Sequence, residues 1–235
     1  TEVSVASQDF ISGMTSSNPF AYCNNIQSFS VDVNNPNFTS VDGVIYGKTK
    51  QWLVAYPAKK QGDVTLDDNI RGISEYAFSG AQVGKVTMGK GLNTILKKAF
   101  AKSTVTEVNM PLPDEEKAVN WKGDAFLDCT SLKKVVFPEG IKSSYNAAFY
   151  KCTALTKITI PSKVKTIGKQ AFYGCSKVTT LTIKTTKLTS QKIGSKAFAK
   201  TRKSMTVKLP KKKFAAYKAI LIKKGVNKKA KFKKS

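Results

Sequence analysis

Four cysteines and no histidine bound the chemistry open to this chain of 235 residues. Cys23, Cys129, Cys152 and Cys175 would have to supply any nucleophile, redox thiol or soft metal ligand. Without histidine, the commonest general base and the usual partner of a nucleophilic triad are both missing. A line of thiols is also a poor zinc site, because a closed site needs four ligands converging tetrahedrally. The stretch "GKVTMGKG" (84–91) follows phosphate-loop spacing through Gly84, Gly89 and Lys90, then puts Gly91 where Ser or Thr would ligate magnesium. A phosphate loop must also leave a strand and enter a helix, whereas Val86 and Met88 alternate inside this one as strand residues do. "DEE" (114–116), with Asp124 and Asp128 nearby, offers oxygen ligands of the kind calcium takes. A solvated loop explains that cluster more simply. No paired carboxylates stand where glycoside cleavage would need them. These residues point away from an enzyme, and no cofactor and no metal site is expected.

The elements that would position such groups emerge when the chain is aligned on its Ala-Phe dipeptides. Phe78, Phe100, Phe126, Phe149, Phe172 and Phe198 follow one another at intervals of 22, 26, 23, 23 and 26 residues, so this is a repeat protein. Five residues before each Phe stand Ile73, Ile95, Trp121, Ser144, Ile167 and Ile193. Three after it comes a column of small residues: Ala81, Ser103, Cys129, Cys152, Cys175 and Thr201. All four cysteines, Cys23 included, fall in that column. A position that accepts alanine requires no thiol chemistry, so the cysteines read as buried, reduced and space-filling.

Three apolar columns follow: Val83, Val105, Leu132, Leu155, Val178 and Ser204; Val86, Val108, Val135, Ile158, Leu181 and Val207; Met88, Met110, Phe137, Ile160, Ile183 and Leu209. The last two are two residues apart, which is strand spacing. A proline usually ends the strand (Pro111, Pro138, Pro161, Pro210). Each unit is therefore a short strand, a turn, and a bend carrying Ala-Phe. One unit buries too little alone, but stacked units form a parallel sheet with a ladder of Phe rings inside. The irregularities are Ser144, Lys184 where proline is usual, Ser204, and the two longer units.

A single solenoid domain is expected over 1–235. Residues 1–33 form an N-terminal cap and incomplete first repeat, in which Phe20, Cys23, Ile26, Phe29 and Val31 reproduce the repeat offsets. Residues 34–62 are a hairpin insertion around Val44-Ile45-Tyr46 and Trp52-Leu53-Val54, punctuated by Asp42-Gly43 and Gly47-Lys48. Repeats fill 63–210. Residues 211–235 are a basic C-terminal cap whose helix puts Phe214, Tyr217, Ile220 and Leu221 on one face and ends at Gly225.

The net charge of +25 is unevenly placed. Residues 1–80 hold 5 Lys+Arg against 8 Asp+Glu, residues 81–235 hold 35 against 7, and no acidic residue follows Glu139. That asymmetry suits an anionic neighbour such as cell-wall polymer. Only Arg71 and Arg202 are arginine, so the charge favours diffuse attraction over base reading, and no specific nucleic acid is expected. No apolar run approaches the ~20 residues of a membrane span. The chain opens without a basic-then-apolar leader and reads as a soluble, monomeric portion with any export signal removed.

"IGKQAFYGCSKVTTLTI" (167–183) and "FLDCTSLKKVVFP" (126–138) resemble the BspA-like leucine-rich repeats, whose units read I-G-x-x-A-F-x-x-C-x-x-L-x-x-V-x-I-P. The hairpin-bearing stretch and "VKLPKKKFAAYKAILIKKG" are also similar to segments of that family. The resemblance implies a curved leucine-rich-repeat solenoid on a secreted or cell-surface protein of a host-associated anaerobe. Some family members are adhesins for host matrix proteins or other bacteria. It directs attention to the strand residues facing away from the core on the expected concave face: Lys85, Thr87, Glu107, Asn109, Lys134, Val136, Lys157, Thr159, Thr180, Thr182, Thr206 and Lys208. The expected ligand is an extracellular protein or glycan. The alternative is a stalk held by its Lys-rich half on anionic wall polymer.

Overall fold

The computed structural model describes residues 1–6, 17–110, 120–137, 143–144 and 146–235, with the backbone path alone considered at 120–121 and 143–144. In chain order the strands are β1 (Glu2–Val5), β2 (Ser28–Val31), β3 (Phe38–Val41), β4 (Val44–Gly47), β5 (Trp52–Ala55), β6 (Gly62–Thr65), β7 (Gly72–Ile73), β8 (Val83–Thr87) and β9 (Thr94–Ile95). They continue as β10 (Glu107–Asn109), β11 (Asn120–Trp121), β12 (Lys134–Val136), β13 (Ser143–Ser144), β14 (Lys157–Ile160), β15 (Thr166–Ile167), β16 (Thr180–Ile183), β17 (Thr206–Leu209) and β18 (Lys231–Lys234). Between the last two, a 3-10 turn at Lys211–Lys213 leads into helix α1 (Phe214–Lys223).

The repeat columns sort these strands into two series. The longer strands form one face, in parallel sheets ordered β12-β10-β8-β6 and β14-β16-β17-β18. The four-residue β5 and the two-residue strands of the isoleucine column form a second, with β5, β7, β9 and β11 parallel to one another and β13 paired to β15. Register follows the columns: Val86 opposes Val108, which opposes Val135, and Ile158, Leu181, Val207 and Phe232 run likewise across the second sheet. The short β-branched strands fit a pleated, half-buried surface.

Between the two series the chain bends around the Phe ladder. Phe78, Phe100, Phe126, Phe149, Phe172 and Phe198 are fully buried, with consecutive ring centroids 4.7, 4.9, 5.2, 5.3 and 5.6 Å apart and nearly parallel. Each buried ring contributes roughly 1.5–3 kcal/mol by leaving water. The backbone repeats the ladder. The Phe78 amide donates to the Ala99 carbonyl, Phe100 to Ala125, Phe126 to Ala148, Phe149 to Ala171 and Phe172 to Ala197, all within 2.7–2.8 Å. Such tight bends need left-handed backbone on either side of the ring. The residues two before each Phe (Tyr76, Lys98, Asp124, Ala147, Gln170, Lys196) and two after (Gly80, Lys102, Asp128, Lys151, Gly174, Lys200) all have φ between +49° and +77°.

At the N-terminal side the ladder departs from the expectation. Its first step is Tyr56, whose ring stacks on Phe78 at 4.8 Å and whose amide donates to the Ala77 carbonyl at 2.8 Å. Phe20 instead packs 5.0 Å from Phe29, and Cys23 is exposed, unlike the buried residue its column predicts. Phe29, Ile26 and Val5 join Phe38, Ile45, Val54 and Ala55 in a small separate core. β1 lies parallel to β2 within it. The hairpin is present as an antiparallel meander β3-β4-β5. Asp42 and Gly43, at φ 49° and 75°, make the turn between β3 and β4.

At the other end α1 buries Tyr217 and Leu221 and packs Phe214 and Ile220 against the main core. The chain then adds what the sequence reading missed, the parallel strand β18 beside β17. In the last repeat Ser204 is exposed and Met205, one residue on, is buried.

Candidate functional site

The outward rows of the long-strand face are set by strand periodicity. Val86, Val108, Ile158, Leu181 and Val207 point into the core, so their neighbours on either side point out. One row of the first sheet is Lys85, Glu107 and Lys134, and the next is Thr87, Asn109 and Val136, with Thr65 of β6 beside Thr87. In the second sheet the rows are Lys157, Thr180, Thr206 and Lys231, then Thr159, Thr182, Lys208 and Lys233. The twelve expected residues are thus brought together as two blocks. Between them no ladder pairing joins β12 to β14 among the described residues; the contact there is the Thr156 amide donating to the Lys133 carbonyl at 3.4 Å.

The blocks differ in charge. In the first, Lys134 Nζ donates to Glu107 Oε1 at 2.7 Å, and Val136 is an exposed apolar residue beside Asn109. The second holds threonines with Lys157, Lys208, Lys231 and Lys233 and no acidic side chain. The sequence reading did not place Thr65, Lys231 or Lys233 on this face. The alternation Lys231-Phe232-Lys233 was the available signal for the last two.

A second ordered surface runs along the Phe bends. The residue after Phe149 is Tyr150 and that after Phe172 is Tyr173, and their rings stack at 5.0 Å. Lys151 Nζ lies over the Tyr150 ring and Lys200 Nζ over that of Tyr173. Farther along, Lys98 Nζ donates to the Tyr76 hydroxyl at 2.9 Å, which holds that phenol below its ordinary pKa.

Cys129, Cys152 and Cys175 are buried and unbridged, and burial pushes Cys129 and Cys175 up to about 12 and Cys152 well above its usual value. Nucleophiles need the thiolate, so these are inert positions. They do more than fill space. Cys129 Sγ donates to the Phe100 carbonyl at 2.9 Å, Cys152 to Phe126 and Cys175 to Phe149 at 3.2 Å, tying each unit to the one before. Strand β8 occupies the phosphate-loop-like stretch, which leads on to β9 rather than to a helix. The "DEE" cluster lies outside the described residues. Asp124 and Asp128 sit in the left-handed bends flanking Phe126.

Six copies of a BspA type leucine rich repeat region match residues 55–119 and 120–220. The chain belongs to this family. Its BspA-type repeats begin at Ala55, one residue before the first aromatic step of the ladder. Among solved structures, the pneumococcal vaccine antigen PcpA is similar over 89% of this chain and 50% of its own, at 18% identity and a TM-score of 0.59. A leucine rich cell surface protein of Faecalibacterium prausnitzii is similar over 100% of this chain and 48% of its own, at 18% identity and 0.54. The T. pallidum leucine rich repeat protein is similar over 80% and 95%, at 16% identity and 0.53. The chain spans about half the length of the first two. No curated protein matches it. Among the described residues, no helix is long and apolar enough to cross a membrane.

Proposed function

We propose that the chain is a non-catalytic binding module of a secreted or cell-surface protein, acting in adhesion or recognition as a monomer, with the long-strand face as its contact surface. The observation that carries this reading is the in-register array of threonine and lysine side chains across β14, β16, β17 and β18, repeated at the ~4.8 Å strand spacing. A repeating polar surface matches an extended ligand better than a compact one, and its positive sign favours an acidic protein segment or an acidic glycan. The names of the structural relatives, a vaccine antigen and a cell surface protein, support the location. Replacing Lys134, Lys157, Thr159 and Thr182 together with alanine should abolish whatever binding the wild type shows on an array of glycans and matrix proteins, with the fold retained by circular dichroism. Undiminished binding by that variant would sink the proposal.

The second reading, retention on anionic wall polymer, is favoured by β18. It adds Lys231 and Lys233 to the face, in a region where no acidic residue follows Glu139. In that case the basic terminus, rather than the array as a whole, carries the contact.

A further inference from the structure

A cavity of about 420 Å³ lies where the hairpin meets the turn after β6, within the size range of small-ligand sites. Tyr46 and Ile70 give it apolar surface, and Lys50, Gln51, Asp67 and Asn69 supply polar groups. The walls are braced. Asp67 Oδ1 accepts from the Asn69 amide at 2.7 Å, and the Gln51 carbonyl accepts from the amides of Arg71 and Gly72 at 2.7 and 3.1 Å.

The next repeat holds the turn from below. Gly89 lies so close that a Cβ there would come 2.2 Å from the Asp67 carbonyl oxygen. The Lys90 amide donates to Asp68 Oδ1 at 2.8 Å. Gly89, which imitates a phosphate-loop glycine in the sequence, therefore seats a cavity wall.

Three features of the lining select a ligand class. Among the described residues, nothing hydrogen-bonds the half-buried Tyr46 hydroxyl or the side-chain amides of Gln51 and Asn69, so these groups are free to bind. The lining carries one carboxylate and one ammonium, Asp67 and Lys50, in a molecule whose net charge is +25. A phosphate would meet the like charge of Asp67, and an organic cation would meet that of Lys50. An aromatic ring beside two amides and a carboxylate instead matches a ring with one apolar face and several hydroxyls. We infer that the cavity lined by Tyr46, Gln51, Asp67 and Asn69 is a binding site for a neutral pyranose sugar. It uses none of the twelve residues of the long-strand face, so the two sites succeed or fail separately.

The test is a two-dimensional NMR titration of the whole chain with methyl glycosides of mannose, glucose and galactose and with N-acetylglucosamine, alongside choline and inorganic phosphate. At least one sugar should give saturable shifts at the amides of Tyr46, Gln51, Asn69 and Ile70. Binding should weaken about tenfold or more in Gln51→Ala, Asn69→Ala and Tyr46→Phe, each of which removes a hydrogen-bonding group. Gln51 and Asn69 are exposed, so those two variants keep the fold. Lys157→Ala should leave the sugar shifts unchanged. The inference is overturned if no sugar gives saturable shifts there, if sugar shifts survive in all three variants, or if only choline or only phosphate saturates the site.

Discussion

Cys23 and Cys152 show how one residue type acquires opposite properties within a single chain. Cys23 is exposed, while Cys129, Cys152 and Cys175 lie in the core with thiols held neutral by burial. Native protein should therefore release one equivalent of thiol to a disulfide reagent at pH 8 and three more on denaturation, with Cys23→Ser abolishing the first. The raised pKa values also make a prediction about alkaline stability. An unfolded thiol loses its proton near pH 8.5, whereas burial holds the protons of Cys129 and Cys175 to about 12 and that of Cys152 well above its usual value. Between those values the folded state binds more protons, so the thiols leave stability unchanged well below pH 8.5 and lower it as pH rises beyond that, by up to about 1.4 kcal/mol per pH unit for each thiol. Denaturation midpoints measured from pH 7 to 10.5 should decline more steeply for the wild type than for the triple variant Cys129→Ser, Cys152→Ser, Cys175→Ser. Equal slopes would mean that the thiols do not titrate on unfolding. The burial of Cys129, Cys152 and Cys175 was legible from a column that also holds Ala81 and Ser103. Their hydrogen bonds to the preceding unit's Phe carbonyl were not, because a one-letter column carries no direction.

At the scale of elements, regular units were readable and their exceptions were not. The five intervals between Phe residues exposed the solenoid, since each strand repeats one pattern of buried columns. Tyr56 was overlooked as a ladder step because its unit is shortened. Leu53 pairs with Ile73 in register, yet it stands three residues before its aromatic where Ile73 stands five before Phe78. β18 was overlooked because lysines dominate it and only Phe232 faces the core partner Val207. The cavity beside Tyr46 draws its walls from segments separated in sequence, so no local pattern announces it. The capping helix was visible in its one apolar face, but its tether was not: the Tyr217 hydroxyl accepts from the buried Leu188 amide at 3.0 Å. Tyr217→Phe leaves that amide without its partner and should cost about 1–3 kcal/mol, measurable by urea denaturation. A loss below a few tenths would show that the tether contributes nothing.

For the molecule as a whole, charge is distributed along the solenoid axis as well as across its faces. The N-terminal third is mildly acidic and the rest strongly basic, so the protein is polar end to end and should orient on an anionic surface with its C-terminal half inward. Retention on a heparin column should fall steadily with added salt as charges are screened over about 10 Å at 0.1 M. Replacing Lys228, Lys229, Lys231, Lys233 and Lys234 with glutamine should bring elution to lower salt. If elution is unchanged, the C-terminal strand takes no part in the attraction.

The Phe amides carry a further consequence. Each donates to a carbonyl one unit farther toward the C-terminus, and the last, Phe198, donates to Lys224 at the end of α1. A Phe N–H is therefore released to solvent when the unit after it departs, even if its own ring stays stacked. Deuterium uptake at the six positions would record the order in which turns peel away, and the Phe198 amide would show whether peeling starts with the helix.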